Sequence, residues 1–98
     1  MVICVRGDYS PGYVLDLGSG EGLHSERLSV RGWDVISIDF RDADICADYN
    51  DYEFKAEFDC IWCCHVLEHQ LDVSRFLRKV YGDLREGGLF AWICVGFG

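Results

Sequence analysis

The sequence predicts an α/β fold built on an open, mostly parallel, doubly wound sheet, and three observations support this. Short apolar runs alternate with longer segments of helical periodicity, the pattern of parallel strands joined by helical crossovers. One run leads into a glycine cluster, as at a tight strand-to-helix turn, and another is almost continuously apolar, as in a strand buried on both faces. The length of 98 residues favours one small domain, covering 1–98.

The first half of the chain contains three predicted strands and one helix. The first strand is 13–17, which follows Pro11-Gly12 and precedes the glycine cluster. A weak apolar stripe predicts a helix over 22–30. Gly32 follows it closely, and glycine is typical just past a helix C-terminus. The β-branched run at 34–40 predicts the second strand. A short third strand is expected around 43–47, followed by a polar, acidic loop.

The second half contains two more strands and the clearest helix. The apolar run 58–64 predicts a buried strand, and apolar residues at helical spacing from Leu71 to Leu84 predict a helix. Gly87-Gly88 is expected to end that helical segment before a last strand at 89–95. Right-handed crossovers then place the helices on both faces of the sheet, with ligands binding beyond the carboxyl ends of the strands.

Charge and hydropathy narrow the classes of partner. The chain has 9 Lys and Arg against 17 Asp and Glu, a net charge of −8. No basic stripe is present to neutralise phosphates, which argues against nucleic acid as a partner. The apolar runs are far shorter than the roughly 20 residues that cross a bilayer, and no secretory signal opens the chain. We therefore expect a cytoplasmic protein with no membrane partner.

The six cysteines predict reduced thiols and no metal site. Most lie in apolar, strand-like runs, where cysteine behaves as a small buried apolar residue. Cys60-x-x-Cys63 and His65-x-x-x-His69 both occur, but they abut, whereas structural zinc sites usually separate their two ligand pairs by a dozen residues or so. We expect the cysteines in these runs, Cys4, Cys60, Cys63, Cys64 and Cys94, to be buried and not to hold a metal ion.

The glycine cluster and a following acid indicate a binding site for an adenosine-containing ligand. Asp39 ends the second strand 21 residues after Gly18, close to the offset of about 20 at which an acid meets ribose hydroxyls. One hypothesis for this ligand is a nicotinamide dinucleotide, as in an NAD-type enzyme. Leu23 departs from the dinucleotide fingerprint, which counts against that hypothesis. Asp16 and Glu21 make the loop negative, which suits a ligand with an ammonium or sulfonium group.

Four segments together resemble the class I S-adenosylmethionine-dependent methyltransferases, in particular their type 11 branch. Val14–Gly22 is similar to the first motif of this family, and Val35–Asp39 to its second strand with the ribose-binding acid. Phe58–Trp62 with His65–His69 is similar to the fourth strand and its loop, and Leu84–Leu89 to the entry to the fifth strand. The resemblance extends over about 13–95 and implies a Rossmann-like fold with S-adenosylmethionine as cofactor.

The resemblance also implies roles for individual residues. The glycine loop would line the methionine moiety with Asp16 near its ammonium group, and Asp39 would hold the ribose hydroxyls. Phe40 would flank the adenine, while Asp48 and Tyr49 would lie near its amino group. Cys64 and His65 would line the cofactor and the substrate entrance, with His65 as a candidate catalytic base. The predicted cofactor-binding residues are Asp16, Gly18, Ser19, Gly20, Gly22, Asp39, Phe40, Asp48, Tyr49, Cys64 and His65.

The function implied is methyl transfer from S-adenosylmethionine to an unidentified small-molecule acceptor. The strands that usually follow the fifth strand in this family are not found in 1–98, which leaves turnover open. The alternative is a non-catalytic module, or a truncated remnant, that binds S-adenosylmethionine or S-adenosylhomocysteine in an oligomer. An exposed edge at the fifth strand would give such a homo-oligomer its contact.

Overall fold

The computed structural model describes residues 12–20, 22–55, 57–64, 66 and 69–93. These residues form a five-stranded parallel sheet in the order β3-β2-β1-β4-β5, with two α-helices. This confirms the predicted fold class. In chain order the elements are β1 (Tyr13–Leu17), α1 (Leu23–Val30), β2 (Asp34–Asp39), β3 (Ile45–Cys46), the 3-10 turn η1 (Tyr49–Asp51), β4 (Phe58–Cys64), α2 (Val73–Asp83) and β5 (Leu84–Ile93).

The two helices cover opposite faces of the sheet, because alternate residues of a strand point to opposite sides. Leu15 of β1 is fully buried in a cluster with Phe76 and Val80 of α2. Its neighbour Val14 is buried in a separate cluster, against which Leu28 of α1 packs. The sheet is therefore doubly wound, as predicted.

Strand β1 marks the point at which the strand order reverses. It pairs in parallel with β2 on one side and with β4 on the other, Leu15 lying between Ile36 and Ile61. The connections that leave β1 and β4 run in opposite directions across the sheet, which opens a crevice at their carboxyl ends. The glycine loop after β1 and Cys64 at the end of β4 lie at this crevice.

The junction between α2 and β5 differs from the prediction. The helix ends at Asp83, and Leu84 is already extended and pairs with Phe58 at the start of β4. Between that pair and the pair Cys60–Leu89, β5 contains three residues more than β4, so the strand bulges. Gly87, with a φ of 77°, lies in this bulge, and it is wrong to assign Gly87-Gly88 as the helix end.

An ion pair accounts for the early start of β5. The Arg85 guanidinium contacts Asp59 of β4, and the other oxygen of Asp59 accepts a hydrogen bond of 2.7 Å from the backbone N–H of Tyr13. Both partners are part-buried, which reduces screening by water. These contacts draw the residues after Leu84 alongside β4 at the amino end of the sheet.

Other boundaries agree with the predictions to within a few residues. Helix α1 ends at Val30, with Gly32 at a φ of 91° just beyond it, while β2 ends at Asp39 and β3 is only two residues long. Helix α2 begins at Val73 instead of Leu71, since Asp72 caps it by accepting a 3.0 Å hydrogen bond from the Arg75 backbone N–H. The last predicted residues, 94 and 95, lie outside the described part of the chain.

The cysteines of β4 that the structure describes follow the alternation of strand residues between the two faces of the sheet. Cys60 and Cys63 are buried on opposite faces, whereas Cys46 of β3 is exposed. Cys4 and Cys94 lie outside the described residues. Neither α-helix in the described ranges has the length and apolar character that crossing a bilayer requires.

Candidate functional site

A cavity of about 810 Å³ opens at the carboxyl edge of the sheet. Its walls are the glycine loop after β1, the end of β2, the turn after β3, the end of β4 and the segment that leads into α2. This volume is within the roughly 300–1,000 Å³ typical of small-molecule sites. Eight of the predicted site residues line it: Gly18, Ser19, Gly20, Asp39, Phe40, Asp48, Tyr49 and Cys64.

The glycine loop has a backbone conformation that presents main chain to the cavity. Gly18, Gly20 and Gly22 have φ values of 73°, 55° and 86°. The Gly18 N–H donates to the Ile38 carbonyl at 2.9 Å, and a Cβ at Gly18 would overlap the side chain of Val66. A Cβ at Gly20, in contrast, would meet no atom of the described residues within 4 Å. Backbone at this position is open to a ligand.

Asp39 joins the end of β2 to the glycine loop. Its Oδ2 accepts a hydrogen bond of 2.8 Å from the Gly20 backbone N–H, and its Oδ1 accepts one of 2.7 Å from the Phe40 N–H. A carboxylate has about four acceptor positions, so two hydrogen bonds leave about two for a ligand. The Phe40 side chain is 74% exposed and lies at the cavity wall. Asp39 is thus fixed in place with acceptor capacity remaining.

Asp16 lies beneath the glycine loop and does not line the cavity itself. It is fully buried, and its Oδ2 accepts a 2.6 Å hydrogen bond from the Ser25 hydroxyl of α1. Burial raises the pKa of Asp16, an effect that the Ser25 hydrogen bond and the nearby His24 oppose. Among the described residues, neither Asp16 Oδ1 nor the buried Ser19 Oγ has a hydrogen-bond partner. Both atoms are suited to a cationic or hydrogen-bond-donating group.

Asp48 and Tyr49 belong to the turn after β3. Asp48 caps η1, its Oδ1 accepting a 2.9 Å hydrogen bond from the Asn50 backbone N–H. Tyr49 is buried, and its hydroxyl donates to Asp83 of α2 at 2.6 Å. Burial and the Asp83 carboxylate raise the pKa of the Tyr49 phenol, which keeps it protonated. Because this hydroxyl is bonded to α2, Tyr49 fixes the turn against the helix.

The cavity also contains residues that the sequence did not indicate as site residues. His24 of α1 lies at the wall with its ring centroid 5.4 Å from that of Trp62, and His69 is exposed at the rim. Arg75 lies at the start of α2, 3.8 Å from Asp51. The others that the sequence analysis did not single out are Leu17, Ile38, Ala47, Asn50, Val66, Gln70, Leu71 and Asp72.

Besides the buried Asp16, two further predicted site residues are not among those that line the cavity in the described part of the chain. Gly22 does not line the cavity but forms the N-cap of α1 in a left-handed conformation. His65, the candidate base, lies outside the described residues, as does Glu21. Across the described ranges, no three His, Cys, Asp or Glu side chains are grouped to hold a metal ion.

Replacing Asp16 by Asn is expected to reveal the cost of the buried charge. The pKa of Asp16 is raised in the folded state. The ionised carboxylate therefore lowers the free energy of unfolding, fully so at a pH above this raised pKa. This loss declines as the pH falls towards about 3.9, the pKa of an aspartate in the unfolded chain. The unliganded wild type should therefore gain stability relative to Asp16→Asn as the pH is lowered from 7 to 4.5. Urea unfolding of both proteins across this range measures the difference, and a wild type that instead loses stability relative to the variant would contradict it.

The structure is that of an α/β protein with a cavity at the switch point of a parallel sheet. A family model described as "Methyltransferase domain" matches residues 6–93, nearly the whole chain. The chain therefore belongs to the methyltransferase-domain family. The cofactor of the family is S-adenosylmethionine.

Curated relatives share about a third of their aligned residues with this chain. The ubiquinone biosynthesis O-methyltransferase of Pseudomonas putida (strain W619) is 32% identical, aligned over 76% of this chain and 40% of the relative. That of Paramagnetospirillum magneticum is 33% identical, over 79% of this chain and 38% of the relative. The chain thus spans about two-fifths of the length of the curated relatives it matches.

Solved methyltransferase structures share the fold. The 1,6-didemethyltoxoflavin-N1-methyltransferase of Burkholderia thailandensis, with bound 1,6-didemethyltoxoflavin and S-adenosylhomocysteine, matches with a TM-score of 0.77 at 21% identity, covering 84% of this chain and 44% of that one. The plantazolicin methyltransferase BpumL, in complex with a pentazolic desmethylPZN analog and S-adenosylhomocysteine, matches with a TM-score of 0.83 at 18% identity, covering 92% of this chain and 41% of that one. These likenesses confirm the Rossmann-like methyltransferase fold.

The residues present fit the family's cofactor. Gly20 leaves its backbone open, Asp39 has acceptor positions suited to a pair of ribose hydroxyls, and the buried Asp16 oxygen is suited to an ammonium group. Gly20 and Asp39 line the same cavity, and the buried Asp16 lies beneath its glycine loop.

Proposed function

We propose that this chain binds S-adenosylmethionine in the described cavity and takes part in methyl transfer to a small-molecule acceptor. The observation that carries the proposal is the 2.8 Å hydrogen bond between Gly20 and Asp39. It brings the glycine loop and a ribose-type acceptor together at one wall of a cavity of about 810 Å³. Membership in the methyltransferase-domain family supports the same assignment.

The role of the protein in this reaction is chiefly to bind and orient. When bound, S-adenosylmethionine supplies a methyl group already activated on a sulfonium. Asp39 would accept hydrogen bonds from ribose hydroxyls. The backbone N–H groups of Gly20 and Phe40 would hold its carboxylate in position. The buried charge of Asp16 would favour the cationic end of the ligand. Such positioning lowers the entropic cost of bringing two reactants together.

For the acceptor, we propose a hydroxyl on a small molecule. The curated relatives are named as O-methyltransferases at 30–33% identity, which supports an oxygen nucleophile. A hydroxyl must lose its proton, and a histidine titrates near neutral pH. His65 stays the predicted base, and His24 and His69 line the described cavity.

Calorimetric titration with S-adenosylmethionine and S-adenosylhomocysteine tests the binding half of the proposal. We expect saturable, one-to-one binding of both ligands to the folded chain. NAD serves as the control ligand, since Leu23 departs from the dinucleotide fingerprint, and it should not bind. Absence of saturable binding up to millimolar ligand, in a protein with a cooperative unfolding transition, would overturn the proposal.

Turnover is tested separately, with catechol as a hydroxyl acceptor and aniline as a nitrogen acceptor. Formation of S-adenosylhomocysteine, quantified by chromatography, should require both protein and catechol. Binding of the cofactor without product from either acceptor would favour the non-catalytic module. Product from aniline alone would contradict the proposed hydroxyl acceptor while leaving methyl transfer intact.

A further inference from the structure

The two walls of the cavity that follow β3 and β4 are not joined by strand pairing. Strands β2 and β1 lie between β3 and β4 in the sheet. The turn at 48–51 and the segment at 69–75 therefore depend on side chains to hold them together. The spacing of these walls determines the width of the cavity between them.

An amide–amide hydrogen bond crosses this gap at the cavity wall. The chain contains a single Asn and a single Gln, and these two residues bond to each other. Asn50 Nδ2 donates to Gln70 Oε1 at 2.9 Å. Both side chains are half-buried and both line the cavity. We call this pair, Asn50 and Gln70, the amide bridge.

The amide bridge connects the predicted adenine end of the cavity to the glycine loop. At one end, Asp48 Oδ1 accepts from the Asn50 backbone N–H at 2.9 Å and from Asn50 Nδ2 at 3.4 Å. At the other end, Gln70 Nε2 donates to the Val66 carbonyl at 3.3 Å. The Val66 side chain packs so closely on Gly18 that a Cβ there would overlap it. The contacts thus run without a break from Asp48 to Gly18.

Two other polar links between the turn and α2, among the residues that the structure describes, differ from the amide bridge in position or strength. Tyr49 and Asp83 bond in the apolar cluster beneath the turn, where they support the fold. The Arg75–Asp51 pair is long, at 3.8 Å, with side chains 63% and 75% exposed. Exposed ion pairs of this kind contribute little. The amide bridge is the shorter bond and is less exposed to water.

We propose that the amide bridge is a positioning pair that keeps the cavity closed around its bound cofactor and slows cofactor release. The inference rests on the proposed binding of S-adenosylmethionine. Release requires the two walls to separate, which breaks the bond between Asn50 and Gln70. Loss of one neutral hydrogen bond corresponds to about a fivefold rise in the dissociation rate. Association should not slow, because loss of the bond leaves the proposed ligand contacts at Gly20 and Asp39 in place.

Dissociation of S-adenosylhomocysteine, followed by surface plasmon resonance, tests this inference. The proteins are wild type, Asn50→Ala, Gln70→Ala and the double variant, with Ser74→Ala on the outer side of α2 as the control. Each single variant should raise the dissociation rate about fivefold without lowering the association rate. The double variant should release no faster than the singles, because either substitution already removes the bond. Ser74→Ala should match wild type.

An exchange of the two side chains separates this role from a general loss of structure. The double variant Asn50→Gln with Gln70→Asn keeps the summed length of the two side chains, and it should return the dissociation rate to within about twofold of wild type. If wild type binds no S-adenosylhomocysteine, the proposed function fails and this inference fails with it. If wild type binds but the alanine variants leave dissociation unchanged, or act additively, only the amide bridge is refuted.

Discussion

Asp39→Asn is expected to weaken binding of S-adenosylhomocysteine by about 100-fold. The carboxylate accepts two backbone hydrogen bonds and retains acceptor positions for two ribose hydroxyls. Each hydrogen bond to a charged acceptor contributes about 1.5 kcal/mol or more, so loss of two amounts to about 3 kcal/mol. At 1.4 kcal/mol per tenfold change in affinity, this gives the expected factor. Calorimetric titration measures it.

The matched control is Asp34→Asn, an exposed residue at the opposite end of the same strand, β2. It removes the same charge from the protein but should change the affinity less than twofold. A 2′-deoxy analogue of S-adenosylhomocysteine sharpens the comparison. It should bind wild type more weakly than the parent ligand, and this difference should largely disappear in Asp39→Asn. An equal difference in both proteins would show that Asp39 does not contact the ribose.

Phe76→Ala is expected to destabilise the fold by about 3–5 kcal/mol. Phe76 is fully buried where α2 meets the sheet, and its ring packs edge-on against Tyr49 at 5.8 Å between centroids. Truncation leaves a cavity at the point where the turn after β3 is fixed to the helix. A loss of this size is a large fraction of the 5–15 kcal/mol typical of small domains. Urea unfolding at 25 °C measures the change.

Tyr81→Ala on the same helix is the control, because its side chain is 83% exposed. It should change the free energy of unfolding by no more than about 0.5 kcal/mol. If Phe76→Ala does not fold, Phe76→Leu retains most of the buried volume and should give a smaller loss that remains measurable. Stability losses of similar size at positions 76 and 81 would contradict the packing described here.

The parts of the fold that could be predicted from sequence are those determined by local pattern. The apolar run of β4 and the strand–glycine–helix sequence after β1 are contiguous, so composition and spacing suffice to identify them. The prediction that Gly87-Gly88 ends the helical segment was wrong because it, too, used only the local pattern. As a local signal the glycine pair indicates a helix end, whereas the contact of Arg85 with Asp59 brings the pair into a strand bulge.

The candidate site divides in a similar way. The approach of Asp39 to the glycine loop could be predicted, because both follow adjacent parallel strands whose carboxyl ends meet at one edge. The bond between Asn50 and Gln70 and the packing of Val66 on Gly18 join segments far apart in the chain. No spacing rule relates such residues. Their proximity depends on how the connection after β3 packs against α2.

The unequal apolar clusters on the two faces of the sheet have a consequence for local unfolding. Counted over the described residues, the cluster beneath α2 includes nine buried residues, whereas the one beneath α1 includes four. A helix of eight residues is too short to persist without packing, so α1 should open more often than α2 and exchange its amide hydrogens sooner. The glycine loop leads directly into α1. A ligand in the cavity would therefore slow amide hydrogen exchange in α1 before it affects α2. The glycine loop and α1 would then both contact the ligand and be ordered by it.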